Sequence, residues 1–299
     1  MKIFFSLLFS VIATAAIPAE TNTFPAPDFR DVKYGPDERN VLDLWQAKSV
    51  KRAPLLVYIH GGGWRGGDKS LLTLPLLSFM LEHGVSVASI NYRYSDTAKL
   101  PAPVHDAARA IQFLRSKSSE WKLNKKRIAA TGVSAGACTA LWLAYHDDLA
   151  NRKSKDPVEH ESSRLCAAVD VYGQTSIDPE VIAEWVGDSV LQHGMIYRAV
   201  GANSPEEVKN KYAEYRELYR EFSPINHVSR GDPPTMLLYP TPTPLPATDP
   251  GTAIHHAMFG KKLKEKVDAV GGICVLRFAN EPDQSAPESC EFLLKYLKK

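Results

Sequence analysis

Residues 127–138 read RIAATGVSAGAC, and the way this stretch folds decides the rest of the chain. Ile128, Ala129 and Ala130 form a short apolar run, Gly132-Val133-Ser134-Ala135-Gly136 is a G-x-S-x-G pentapeptide, and a helix-forming run follows to Tyr145. A strand that turns abruptly into a helix holds its central residue in a strained conformation, and small residues two before and two after keep the turn clear of its neighbours. Ser134 then stands exposed at a helix N-terminus, where unpaired amide hydrogens favour developing negative charge. Such a hydroxyl suits nucleophilic attack on a carbonyl. A tight turn without chemistry would use the same small residues.

Upstream, Pro54 opens Leu55-Leu56-Val57-Tyr58-Ile59, an apolar run of the kind buried on both faces of a parallel sheet. It leads into His60-Gly61-Gly62-Gly63-Trp64, whose glycines can present backbone N–H groups with no side chain in the way, as an oxyanion hole requires. A flexible turn is the plainer alternative. Between the two glycine-rich stretches the pattern predicts a helix from near Pro75 to just before Gly84, then a strand over 85–90. A second helix opens at Pro103, with Val104, Ala107, Ala108, Ile111 and Leu114 on one face. Asp106, placed in its first turn, reads as a complement to the helix dipole. Residues 31–34 and 41–45 flank Gly35-Pro36-Asp37 as a hairpin of edge strands. Strands and helices alternate as in a doubly wound parallel sheet, where ligands gather at the carboxyl ends of the strands. Both glycine-rich stretches fall there.

With 299 residues, 44% hydrophobic and 23% charged, the chain can form one large α/β domain, expected over 28–299. A net charge of +2 gives no reason to expect nucleic acid as a partner. Lys261, Lys262, Lys264 and Lys266 alternate with Leu263 and Val267 at helical spacing and read as a solvated helix face. Residues 1–20 carry Lys2, an apolar run and small residues at Ala13-Thr14-Ala15, the composition of a secretory signal peptide, so a secreted or periplasmic protein is expected. No second apolar stretch is long enough to span a bilayer. Cys138, Cys166, Cys274 and Cys290 lack metal-ligand spacing and read as buried thiols, with Cys274–Cys290 the pair open to bridging in an oxidising compartment.

HGGGW at 60–64, followed by GVSAG at 132–136 with two helices and two strands between them, resembles the alpha/beta hydrolase superfamily. In particular it resembles the secreted carboxylesterases of the feruloyl- and acetylxylan-esterase-like (BD-FAE-like) group, over most of 32–297. The resemblance implies a Ser134 nucleophile, oxyanion donors from the backbone N–H groups of Gly62, Gly63 and Ala135, and an acid and a histidine later in the chain. It implies a small-molecule ester substrate, with acylated carbohydrates as the class. It implies neither a metal nor an organic cofactor.

Beyond a strand at 167–172 the alternation breaks, and 173–222 is helical in pattern without a strand, which reads as a cap over the strand ends. Tyr212, Tyr215, Tyr219 and Phe222 recur at helical spacing and are expected to pack onto the domain; Trp185, His193 and Tyr197 belong to the same cap. After a strand at 235–239, related enzymes place a His-Gly pair and then an aspartate. This chain instead carries Pro240, Pro242, Pro244, Pro246 and Pro250, and Asp249 is the carboxylate of that loop. Asp249 is therefore the first candidate for the acid, and Asp170, within a strand, the second. The last strand, 273–278, is followed by Ala279-Asn280-Glu281-Pro282-Asp283, and no histidine occurs after His256. His255 and His256 are left as candidate bases, oriented by Asp249 or Glu281. Placed at the start of a helix they would point about 100° apart, so one at most can face Ser134. Two readings stand: a serine esterase working through an acyl-enzyme, or a degenerate hydrolase fold that binds an ester or sugar without efficient turnover.

Overall fold

The computed structural model describes residues 24–48, 51–283 and 285–299. The expected signal peptide lies outside them. The strands are β1 (Phe29–Lys33), β2 (Val41–Trp45), β3 (Ala53–Ile59), β4 (Ser86–Ile90), β5 (Leu123–Val133), β6 (Ala168–Val171), β7 (Thr235–Pro240) and β8 (Cys274–Ala279). They form one sheet in the order β1-β2-β4-β3-β5-β6-β7-β8. The β1–β2 hairpin and the β2–β4 pair are antiparallel, and every pair from β4 to β8 is parallel.

Helices fill the crossovers: α1 (Leu74–Glu82), α2 (Ala102–Ser116), α3 (Ala135–Tyr145), then α4 (Pro179–Val186), α5 (Gly194–Arg198), α6 (Pro205–Asn210) and α7 (Tyr212–Glu221) between β6 and β7. Two more, α8 (Pro250–Ile254) and α9 (Met258–Ala269), precede β8, and α10 (Pro287–Leu297) closes the described chain. Side chains alternate across a strand, so β3 supplies two cores at once. Leu55, Val57 and Ile59 enter the cluster under α2, α3 and α9. Leu56 and Tyr58 enter the one under α1 and α10. At about 1.5–3 kcal/mol for each large apolar side chain fully buried, this two-sided burial fixes β3 at the sheet centre. On α9, Leu263 and Val267 are buried while the intervening lysines stay at the surface.

Asp106 departs from the expectation. The helix starts at Ala102, which puts Asp106 beyond the first turn, and its carboxylate is buried against Arg93. The guanidinium donates to both oxygens, at 2.8 and 2.6 Å, and the Arg93 N–H adds a bond of 3.0 Å. A paired, buried carboxylate replaces the dipole explanation. All four cysteines are free thiols; three are buried and Cys166 is half-buried.

Candidate active site

Register brings the two glycine-rich stretches together. Ile59 on β3 pairs with Gly132 on β5, so two residues further on Gly61 lies beside Ser134. A Cβ on Gly61 would stand 2.8 Å from the Val133 carbonyl oxygen and 3.6 Å from Ser134 Cβ. The turn itself depends on Gly136, where a Cβ would meet the main-chain oxygens of Ile59 and His60 at 2.1 and 2.5 Å. Only a hydrogen fits there, so α3 packs directly against the end of β3. Ser134 occupies φ 53°, ψ −121°, a conformation that costs a non-glycine residue about 1–3 kcal/mol. Its N–H is held by the Val171 carbonyl on β6 at 2.9 Å, and its own carbonyl accepts the Cys138 N–H at 2.9 Å.

The hydroxyl of Ser134 lies 2.9 Å from His255 Nε2. His255 Nδ1 lies 3.0 Å from the Gly251 carbonyl oxygen. A carbonyl only accepts, so Nδ1 carries the proton and Nε2 is left as the acceptor facing the serine. His255 is half-buried, and loss of hydration pushes its pKa down to about 4; the Gly251 carbonyl opposes this and neighbouring His193 adds to it. The ring is therefore neutral at pH 7. Tyr172 meets it edge-on, with centroids 5.2 Å apart, and His193 does so at 6.3 Å.

The other candidates fall elsewhere. His255 and His256 do not open a helix; they lie between α8 and α9, with His255 as the residue closing α8. His256 turns away from the serine, with Nε2 3.1 Å from the Thr243 carbonyl oxygen and Nδ1 accepting the Met258 N–H at 3.0 Å. Asp249 is exposed and caps α8, accepting the Thr252 N–H at 2.7 Å, a contact that holds its carboxyl below the usual range. With both nitrogens of His255 engaged by Ser134 and Gly251, the ring has a carbonyl where a carboxylate was expected. Among the described residues neither Asp249 nor Glu281 hydrogen-bonds to it. Asp170 is fully buried, accepting from Gly173 N–H at 2.6 Å and contacting Tyr239 Oη at 2.9 Å. It is part of the strand-end packing.

Gly62 and Gly63 take φ of 104° and 61°, and a Cβ on Gly62 would lie 2.3 Å from the Gly66 carbonyl oxygen. Gly62 accepts the Arg65 and Gly66 N–H groups, while the N–H groups of Gly62 and Gly63 have no acceptor among the described residues. Ala135 is the first residue of α3, so its N–H has no intrahelical acceptor. Ser134, His255, the Gly61–Gly63 loop, Tyr172, His193 and Met195 border a cavity of about 630 Å³. Three cap residues, His193, Gly194 and Met195, thus reach it, while Trp185 packs on Phe259, and Tyr197 borders a different cavity. The orienting carbonyl of Gly251 left no trace in the sequence, since any residue type offers one.

A mostly parallel sheet with an antiparallel leading pair, bearing a serine turn at the end of β5, is the arrangement of the α/β hydrolases. The BD-FAE family model matches residues 42–247, more than half of the chain, and the protein belongs to that family. Among curated relatives, Esterase LipQ of Mycobacterium tuberculosis is 29% identical over 220 residues, covering 72% of this chain and 49% of LipQ. The chain spans about half the length of such relatives. Among solved structures, a truncated carbohydrate esterase from gut microbiota superposes with a TM-score of 0.72 at 20% identity, over 94% of this chain and 99% of that one. An acetyl ester-xyloside bifunctional hydrolase from Caldicellulosiruptor lactoaceticus gives 0.65 at 23% identity, over 86% and 84%. No described helix is long and apolar enough to cross a membrane.

Proposed function

We propose that the protein is a carboxylic ester hydrolase working through an acyl-Ser134 intermediate. The observation that carries this reading is the 2.9 Å contact between Ser134 Oγ and His255 Nε2 at the edge of an open cavity. His255 takes the serine proton as Oγ bonds to the ester carbonyl carbon. The N–H groups of Gly62, Gly63 and Ala135 stabilise the oxyanion, with the N-terminus of α3 adding to the field. Collapse of the tetrahedral species expels the alcohol, which takes the proton from His255. Water, activated by the same ring, then releases the acid and restores Ser134.

The family membership and the esterase names of the relatives support this reaction class. The carbohydrate esterase and acetyl ester-xyloside hydrolase among the structural neighbours support short acyl groups on sugars as the substrate class. The composition of residues 1–20 supports action outside the cytoplasm, and the N-terminus of the mature protein tests that point.

The missing carboxylate beside His255 favours a second reading, retained binding with little turnover. Hydrolysis of p-nitrophenyl acetate separates the two. Turnover that disappears in both Ser134→Ala and His255→Ala and persists in His256→Ala supports the esterase. No turnover in the unaltered chain, together with saturable ester binding, supports the binding protein.

A further inference from the structure

The helix that begins at Ser134 ends against the last turn of α7 and the single turn Pro224–His227. At that junction His146, Glu221 and His227 turn their side chains toward one another, and one donor atom from each lies within 4.8 Å of the other two. Eleven residues of α3 at a 1.5 Å rise place the cluster about 17 Å from the serine, and none of its members borders the cavity there.

The contacts of His146 leave room for a metal ion as its partner. Its Nδ1 is 2.8 Å from the Asp147 carbonyl oxygen and its Nε2 is 3.0 Å from Glu221 Oε1. Both partners are acceptors, and a neutral imidazole has a single N–H. With Nδ1–H given to the carbonyl, a neutral ring turns its Nε2 lone pair on the carboxylate; the contact is favourable when the ring is itself an imidazolium or when a metal ion lies between the two. His227 approaches from the other side, its Nε2 4.0 Å from Glu221 Oε2; that nitrogen donates to the Glu221 main-chain oxygen, a bond the ring gives up when Nε2 takes a metal. The indole of buried Trp142 backs both rings, stacked on His146 with centroids 4.1 Å apart and edge-on to His227 at 6.2 Å.

We propose that His146, Glu221 and His227 bind a divalent transition-metal ion of the zinc type, tying the end of α7 to the end of the helix that begins at Ser134. Two imidazoles and a carboxylate are a donor set zinc accepts, at about 2.0–2.2 Å, with water in the fourth position. Magnesium and calcium select oxygen donors instead. The Asp147 carbonyl fixes the His146 tautomer with Nε2 directed at the site, as an outer-shell partner does for a metal-bound histidine. Tetrahedral bonds of that length separate donors by about 3.3 Å. The side chain of Glu221 is 42% exposed, free to swing inward to close that gap.

Chelator-treated whole protein is titrated with zinc chloride by calorimetry and with cobalt chloride by visible absorption. The expected result is one ion per chain, cobalt ligand-field bands, and a thermal midpoint raised by zinc but not by magnesium. Binding should weaken at least tenfold in His227→Ala and in Glu221→Gln; the second is nearly isosteric and carries the test if the first does not fold. It should persist in a His193→Ala, His255→Ala double variant, which removes the imidazoles near Ser134. Absence of saturable zinc binding overturns the proposal. So does binding undiminished by Glu221→Gln, or binding lost from the His193, His255 double variant.

Discussion

The imidazole of His255 is oriented by the main-chain oxygen of Gly251, 3.0 Å from Nδ1 and four residues back along the chain. A carbonyl fixes the tautomer as well as a carboxylate does, yet it brings no full negative charge to stabilise the imidazolium that forms when Ser134 is deprotonated. The position of Gly251 depends on α8, whose first turn is capped by Asp249 through the Thr252 N–H. The Ala247 N–H, just before α8, bonds to the Val186 carbonyl, and Gln174 Nε2, three residues past β6, bonds to the Ile254 carbonyl, so both ends of the segment are tied to the cap. Asp249 therefore acts on His255 through the helix.

That relationship gives a substitution test with opposite outcomes for two roles. Asparagine caps a helix as well as aspartate, whereas alanine does not. Asp249→Asn should keep kcat near the unaltered value, and Asp249→Ala should lower it by less than about tenfold through a looser α8. An acid that directly supports the histidine would lose about 10⁴-fold on the same Asp-to-Asn change. Esterase assays on both variants decide it, and a loss of that size in Asp249→Asn would remove the capping account.

The pH dependence follows from the depressed pKa of His255. A histidine needed in its neutral form, with a pKa pushed down to about 4, stays competent well below the ordinary value of 6.5. The kcat/KM profile should rise with pH to half its plateau near pH 4 and remain flat through 6.5. Stability should also fall on acidification, and it should start to do so at a higher pH. His60, fully buried, is also pushed down to about 4 by lost hydration, so both rings are protonated more readily in the unfolded chain. Their contribution is complete above about pH 6.5 and is lost as pH falls toward 4. The same pH dependence of the thermal midpoint between pH 7 and 4.5 in the unaltered chain and in His255→Ala would contradict it.

Close packing at the serine turn predicts that Gly136→Ala displaces α3 from β3. The added methyl would overlap the Ile59 carbonyl oxygen, at 2.1 Å, and main chain cannot yield as a side-chain tip can. The expected cost is about 1–3 kcal/mol, together with a large loss of kcat as Ser134 shifts relative to His255. Gly66→Ala, at a position with nothing within 4 Å of the new Cβ, is the control and should be nearly silent. Denaturant unfolding and kcat measured on both variants test this.

Much of this architecture was legible because local pattern and global fold agree. The β3 run, the helix opened by Pro103 and the G-x-S-x-G turn each have a period or composition that only one element satisfies. The site was legible where chemistry depends on residue type, as at Ser134 and the Gly61–Gly63 loop. It was obscure where geometry depends on main chain. Nothing in the identity of Gly251 marks it as an acceptor, and the choice between His255 and His256 turned on where α8 stops. Asp106 was misassigned because its partner, Arg93, lies in the preceding loop, and no helical periodicity reports such a contact.

Asp170 offers the sharpest test of how a buried carboxyl is accommodated beside the site. Burial pushes its pKa up to about 7, with the Gly173 N–H and Tyr239 hydroxyl partly opposing the shift. Tyr239 Oη contacts both Asp170 Oδ2 and the Gly173 carbonyl oxygen, but it has one hydrogen to give. A protonated Asp170 completes the chain: the carboxyl donates to Tyr239, Tyr239 donates to the Gly173 carbonyl, and Oδ1 accepts the Gly173 N–H. An asparagine amide can make the same three bonds. Asp170→Asn should therefore be neutral near pH 3.5, where the acid is protonated in both folded and unfolded chains, increasingly stabilising as pH rises to about 7, and constant above that. The sign follows from linkage, since a carboxyl whose folded pKa is raised from 3.8 to about 7 contributes less stability as pH climbs between those values. Thermal midpoints of the two chains across that range give the difference directly. A variant destabilised equally at both ends would show that Asp170 is held as an anion, whereas unchanged kcat in Asp170→Asn would show that the carboxyl takes no part in orienting His255.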